Sequence, residues 1–183
     1  AKAFADLGPQ FLLPYTDAPL DAAAAFGRVA PLILEIGFGM GEATAHLVHG
    51  LGAEVVAVDV QPPRYDFARY LEVDLRDSAA IEQAVAELTA ERVHNLFYCA
   101  GLPGRKFLAV DVVTVNFISQ RHMINLLVPH MQRGDAIASV SSGAGMGYSF
   151  FGKQLQPFMD ITDFSQAQAW VREHEKEAWF EPY

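Results

Sequence analysis

One cysteine, Cys99, stands in the whole chain, so no intrachain disulfide can form and a reducing compartment fits. Long apolar runs are missing too. None reaches the roughly 18 residues that a membrane span requires, and no basic-then-apolar leader opens the chain. Positive charge is scarce: 13 Lys and Arg stand against 22 Asp and Glu, a formal net charge of -9. Phosphate backbones are held by clustered Lys and Arg, and here Arg64, Arg69, Arg105, Lys106, Arg121 and Arg133 are scattered. These absences argue against a disulfide scaffold, a membrane protein and a general nucleic-acid binder. The expectation is a soluble cytoplasmic protein with no nucleic-acid or membrane partner.

What is present is a globular composition, with 51% hydrophobic and 19% charged residues, enough for one sizeable core in 183 residues. Residues 1–30 are rich in Pro and Ala, with one helix predicted over Asp21–Phe26, and the first residue is Ala1, which reads as trimming or engineering. From Pro31 the pattern alternates. Strands are predicted at Pro31–Ile36, Glu54–Val60, Arg69–Val73, Val93–Cys99 and Ala136–Ser141. Helices are predicted at Glu42–Leu51, Ser78–Thr89, within Val110–Met131 and at Phe164–Lys176.

Alternating strands and helices point to a mainly parallel sheet covered on both faces, a Rossmann-like three-layer α/β sandwich. The expected strand order is 3-2-1-4-5. Ligands of such sheets bind outside the carboxyl ends of the strands, at the switch between the first and fourth. The loops after Ile36, Val58, Val73, Cys99 and Ser141 should then share one crevice.

The loop after the first strand reads Glu35-Ile36-Gly37-Phe38-Gly39-Met40-Gly41. Glycines there let the backbone approach a ligand, and the following helix presents free N–H groups to it. The spacing is G-x-G-x-G, since position 42 is Glu. The plain alternative is a tight turn with no ligand. Asp59 closes the run Val55-Val56-Ala57-Val58, where a carboxylate can accept both hydroxyls of a ribose, although a solvated strand-end Asp has the same look. Six histidines (His46, His49, His94, His122, His130, His174) show no ligand spacing with Cys99 or paired carboxylates, so no metal site is expected. Tyr148, Phe150, Phe151 and Phe158 are expected to pack as core or interface.

Two resemblances follow. Leu20–Glu42, "LDAAAAFGRVAPLILEIGFGMGE", resembles the start of the bacterial tRNA (guanine-N7) methyltransferases, whose S-adenosylmethionine loop reads E-I-G-F-G-x-G, and the likeness extends back to about Leu7. From Gly39 onward, "GMGEATAHLVHGLGAEVVAVDV" resembles the opening of a short-chain dehydrogenase/reductase, where Leu34-Glu35 would be Thr-Gly. Asp74 in "LEVDL" resembles that family's adenine-facing acid. Tyr98-Cys99-Ala100-Gly101 resembles its N-N-A-G turn, with Cys in place of the second Asn. Asn116 in "VTVNF", Ser142 in "IASVSSGAG" and Tyr183 resemble three members of its N-S-Y-K tetrad. Hydroxysteroid-dehydrogenase-like members carry a long insertion between the serine and the tyrosine, which matches Gly145–Pro182.

The resemblance implies NAD laid over Gly37, Gly39, Met40 and Gly41, with Asp59 on ribose, Asp74 on adenine and Ala100-Gly101 beside them. It implies a catalytic set Asn116, Ser142 and Tyr183. The tetrad lysine, four residues after the tyrosine, is not among these residues, so little or no turnover is expected. The expected organisation is a methyltransferase-like extension over 1–30 and an incomplete NAD-binding domain over 31–183. Alternatives are an S-adenosylmethionine-binding domain and an engineered chimera or fragment without activity. The fifth strand, lacking further strands beside it, is expected to favour a homodimer or a swapped oligomer.

Overall fold

The computed structural model describes residues 55–62, 69–104, 106–143, 145, 148–177 and 180. The strand predicted at 31–36, the helices predicted at 21–26 and 42–51, the glycine loop and Tyr183 lie outside them.

β1 (Val56–Asp59) and β2 (Arg69–Glu72) pair in parallel, Val56 opposite Arg69 and Asp59 opposite Glu72. β3 (Asn95–Tyr98) and β4 (Ala136–Ser139) form a second parallel pair, Asn95 opposite Ala136 and Tyr98 opposite Ser139. The second ladder continues one step at each end, through Ala136 N–H to His94 O at 2.9 Å and Val140 N–H to Tyr98 O at 3.2 Å. Both neighbour relations are those expected of the second with the third and the fourth with the fifth predicted strands. Each strand is shorter than predicted by one to three residues.

α1 (Ser78–Thr89) has the predicted bounds. Asp77 caps it, its Oδ1 accepting from Ala79 N–H at 2.9 Å, which satisfies one orphan donor of the first turn. Ile81, Ala84 and Val85 are buried at helical spacing, and Leu88 is half-buried. The helix predicted within Val110–Met131 is one rod with three windings. It runs from α2 (Ala109–Val113) through a π-helical turn (Thr114–Ile118) and α3 (Ser119–Leu127) into a 3₁₀ turn (Val128–His130).

α4 (Tyr148–Asp160) was not anticipated from the sequence, because Gly152 and Pro157 sit inside it. Packing overrides that penalty. Phe158 is buried, stacked on Trp170 at 5.0 Å and tilted against Phe117 at 5.5 Å. Only part of the predicted aromatic group is core: Phe150 is 81% exposed and Phe151 lies at the surface. α5 (Phe164–His174) is capped by Asp163, which accepts from Gln166 N–H at 2.7 Å, and buries Phe164, Ala167 and Val171. It ends two residues before the predicted Lys176.

One apolar cluster joins these parts. Ile81 of α1, Val110 of α2, Ile118, Met123 and Leu127 of the rod, Phe158 of α4 and Val171 of α5 all belong to it, with Val58 and Leu71 of the first strand pair against it. Among the described residues no helix is long and apolar enough to cross a membrane.

Candidate functional site at the strand ends

The carboxyl ends of the strands carry the predicted residues. β1 ends at Asp59, which is exposed. Its Oδ1 accepts from Gln61 N–H at 3.1 Å, a local turn that holds the carboxylate at the strand tip. The Asp59 carbonyl accepts from Val73 N–H at 3.0 Å and from the Tyr70 hydroxyl at 3.1 Å. This last ladder bond carries the chain one step past β2 and sets Asp74 at the strand end next to Asp59.

Asp74 is held from one side by Arg76. The guanidinium donates from Nε to Oδ1 at 2.9 Å and from Nη2 to Oδ2 at 2.7 Å, and the Arg76 backbone N–H adds a bond to Oδ1 at 2.9 Å. The side-chain hydrogen bonds from Arg76 hold the Asp74 carboxyl below its usual range, against a smaller opposing effect of burial. Arg76 also lies 3.9 Å from Asp111 of α2, and its carbonyl accepts from Gln168 of α5 at 3.4 Å. Asp74 therefore stays ionised and fixed in orientation.

At the end of β3 the turn Tyr98-Cys99-Ala100-Gly101 is gripped by Asn116, the middle residue of the π-helical turn. Asn116 Oδ1 accepts from Leu102 N–H at 2.7 Å, and Asn116 Nδ2 donates to Leu102 O at 3.0 Å. A side-chain amide presents one acceptor and two donors, so it matches both backbone groups of one residue at once. Asn116 acts here as a brace between rod and turn. Ser142 follows β4, exposed, its carbonyl accepting from Gly145 N–H at 3.0 Å. Because β3 and β4 are parallel and in register, Ala100, Gly101 and Ser142 share one edge of that strand pair. Gly37, Gly39, Met40, Gly41 and Tyr183 lie outside the described residues.

Two residues here, Arg76 and Ser119, were not singled out from the sequence, and Tyr98 was read only as the first residue of the turn after β3. Arg76 follows Asp74 by two, a spacing that allows a self-contained clamp but carries no periodic signal. Tyr98 and Ser119 meet inside the core, hydroxyl to hydroxyl at 2.6 Å, although 21 positions separate them. Burial pushes the Tyr98 phenol up to about 12, against the opposing effect of its bond to Ser119, so it stays protonated.

Against known proteins, the model of the short chain dehydrogenase family matches residues 32–154. Coniferyl-alcohol dehydrogenase of a Pseudomonas species is 25% identical over 143 residues, 78% of this chain and 55% of that protein. A second similarity is short and close. The tRNA (guanine-N(7)-)-methyltransferase of a Polaromonas species is 81% identical over 47 residues, 26% of this chain and 19% of that protein. That of Paracidovorax citrulli is 74% identical over the same length. The chain thus spans little more than half the length of the dehydrogenase and about a fifth of the methyltransferases.

Proposed function

The chain belongs to the short-chain dehydrogenase family, and from that premise we propose that it is a Rossmann-like NAD-binding domain. In this reading the strand predicted at 31–36 lies between β1 and β3, giving the order 3-2-1-4-5, and the cofactor lies across the carboxyl ends. The observation that carries it is the Asn116 grip on Leu102, which fixes the turn after β3 at the edge where Ser142 also emerges.

The donor chemistry at the strand ends fits a dinucleotide. Asp59 is an exposed carboxylate at the tip of β1, suited to the two hydroxyls of a ribose. Its negative charge opposes a 2′-phosphate and favours NAD over NADP. Asp74 is ionised and oriented by Arg76, one of whose bonds would give way for an amino edge to be accepted. Gly37, Gly39, Met40 and Gly41 would form the pyrophosphate loop. When bound, NAD supplies the hydride-accepting ring. Ser142 would steady a substrate oxygen and Tyr183 would move its proton.

A second reading is supported by the 47-residue likeness to the methyltransferases. Glu35, Gly37, Gly39 and Gly41, with Asp59, could instead take S-adenosylmethionine, and the two likenesses together support a chain joined from two families. Calorimetric titration of one sample with both ligands decides. NAD binding that falls at least tenfold in Asp59→Ala supports the dehydrogenase-type site. Binding of S-adenosylmethionine alone would reverse the assignment, and silence for both would reject each.

A further inference from the structure

The π-helical turn of the rod has a visible cause. Ser119 N–H bonds to Thr114 O, five residues back, where an α-helix would use Val115 O. The Val115 carbonyl, displaced from that bond, accepts from the Tyr98 hydroxyl at 2.8 Å and from Ser119 Oγ at 3.1 Å. Ser119 Oγ also reaches Thr114 O at 2.8 Å. Tyr98 is 5% exposed and Ser119 fully buried, so no bulk water is at hand to do this work.

The hydroxyl protons can be assigned without an orphan. Each hydroxyl has one proton to give. If Tyr98 donates to Val115 O, Ser119 donates to Thr114 O or to Tyr98. If Tyr98 donates to Ser119, Ser119 passes its own proton on to Val115 O at 3.1 Å. Either arrangement keeps the widened turn in hydrogen bonds, in a place where an unmet carbonyl would be costly.

The placement of these ties matters more than their number. Tyr98 closes β3 and Leu102 lies four residues beyond it. The first ties strand to rod at Val115, and the second is tied back by Asn116, the very next residue of the rod. The turn Cys99-Ala100-Gly101 is thus strung between two adjacent residues of one widened helical turn. Unwinding the π turn to α would shift Asn116 by a fraction of a turn and pull its amide off Leu102.

We infer that Tyr98 and Ser119 are positioning residues: their paired hydroxyls hold the π-helical turn open so that Asn116 can fix the turn after β3. The structural part stands on the geometry alone, and its consequence for cofactor affinity rests on the NAD-binding reading above.

The test uses the full chain in four forms beside the parent: Tyr98→Phe, Ser119→Ala, the double variant and Asn116→Ala. Three quantities are read: amide exchange at Leu102, global unfolding by urea, and NAD affinity by calorimetry. Loss of a hydrogen bond of ordinary net strength corresponds to about a tenfold faster exchange at Leu102. Tyr98→Phe is expected to reach that factor beyond any change shared with the β1 amides, and to weaken NAD several-fold. Ser119→Ala should add less on top of Tyr98→Phe than it does alone, since the pair acts as a unit. Exchange at Leu102 that rises only in step with the β1 amides would overturn the inference, as would additive effects of the two substitutions. If Tyr98→Phe does not fold, Ser119→Ala alone carries the same exchange test. If Leu102 loosens as expected while NAD affinity is unmoved in every variant, Asn116→Ala included, the positioning role stands and the cofactor reading of this turn fails.

Discussion

Asn116 meets both backbone groups of Leu102, taking its N–H at 2.7 Å and giving to its carbonyl at 3.0 Å. Asn116→Ala removes both bonds and should cost about 1–3 kcal/mol in urea unfolding, with little dependence on pH. Asn116→Asp behaves differently. Ionised, the new carboxylate keeps the acceptor but turns negative charge on the Leu102 carbonyl, so the folded state raises its pKa. Stability is then higher below the unfolded carboxyl value of about 3.9 and is lost as pH rises through the folded value. Unfolding at pH 7 and near pH 4 should show a deficit in Asn116→Asp that narrows in acid, while that of Asn116→Ala does not.

The Asp74–Arg76 clamp has the opposite pH sign. Asp74 has a depressed folded pKa, mainly through the side-chain bonds from Arg76. Its contribution is present above the unfolded value of about 3.9 and disappears as pH falls through the folded one. Both side chains are more than a third exposed, so the pair is screened. Arg76→Ala should therefore cost only about 0.2–1 kcal/mol at neutral pH, less in high salt, and approach nothing once the pH has fallen through the depressed folded value. A loss that persists unchanged in acid would show that Arg76 acts through packing or through its contacts with Asp111 and Gln168.

Core and surface apolar residues should separate cleanly. Ile81 is fully buried on α1, and Ile81→Ala should destabilise by about 2–5 kcal/mol. Phe150, 81% exposed on α4, should tolerate Ala within about 0.5 kcal/mol. Parallel urea titrations followed by tryptophan fluorescence compare them directly, since Trp170, one of the two tryptophans, stacks on Phe158 and on His174 within the same cluster.

The contrast in what the sequence disclosed has a physical basis. α1 was readable to the residue because its determinants are local: an Asp77 cap and apolar positions three and four apart. The end of β1 at Asp59 was readable from its β-branched run, whereas Asp74, Gly101 and Ser142 were named through the family resemblance, because a single residue after a strand carries no periodic signal. α4 was hidden because Gly152 and Pro157 speak against a helix, and what outweighs them is Phe158 docking on Phe117 and Trp170. The π-helical turn was hidden for the same kind of reason. Its cause is a contact between Tyr98 and Ser119, and no window of periodicity spans the 21 positions between them.

β4 gives the last prediction. All four of its residues are exposed, and among the described residues it pairs with β3 alone. Its outward side chains include Ile137, and Val140 just beyond is 58% exposed. A strand edge left unpaired among the described residues, with apolar neighbours, can offer N–H and C=O groups to another chain. We expect the polypeptide of these 183 residues to associate through this edge. Light scattering over a wide concentration range should show the mean mass rising with concentration, and Ile137→Lys should suppress the rise, since a charge on an edge strand opposes pairing. Ile137 is 36% exposed, so a longer Lys can carry its ammonium into solvent and folding should survive the change. A constant monomer mass in the parent would reject the edge as an interface. A constant oligomer mass, unchanged by Ile137→Lys, would place the association elsewhere on the molecule.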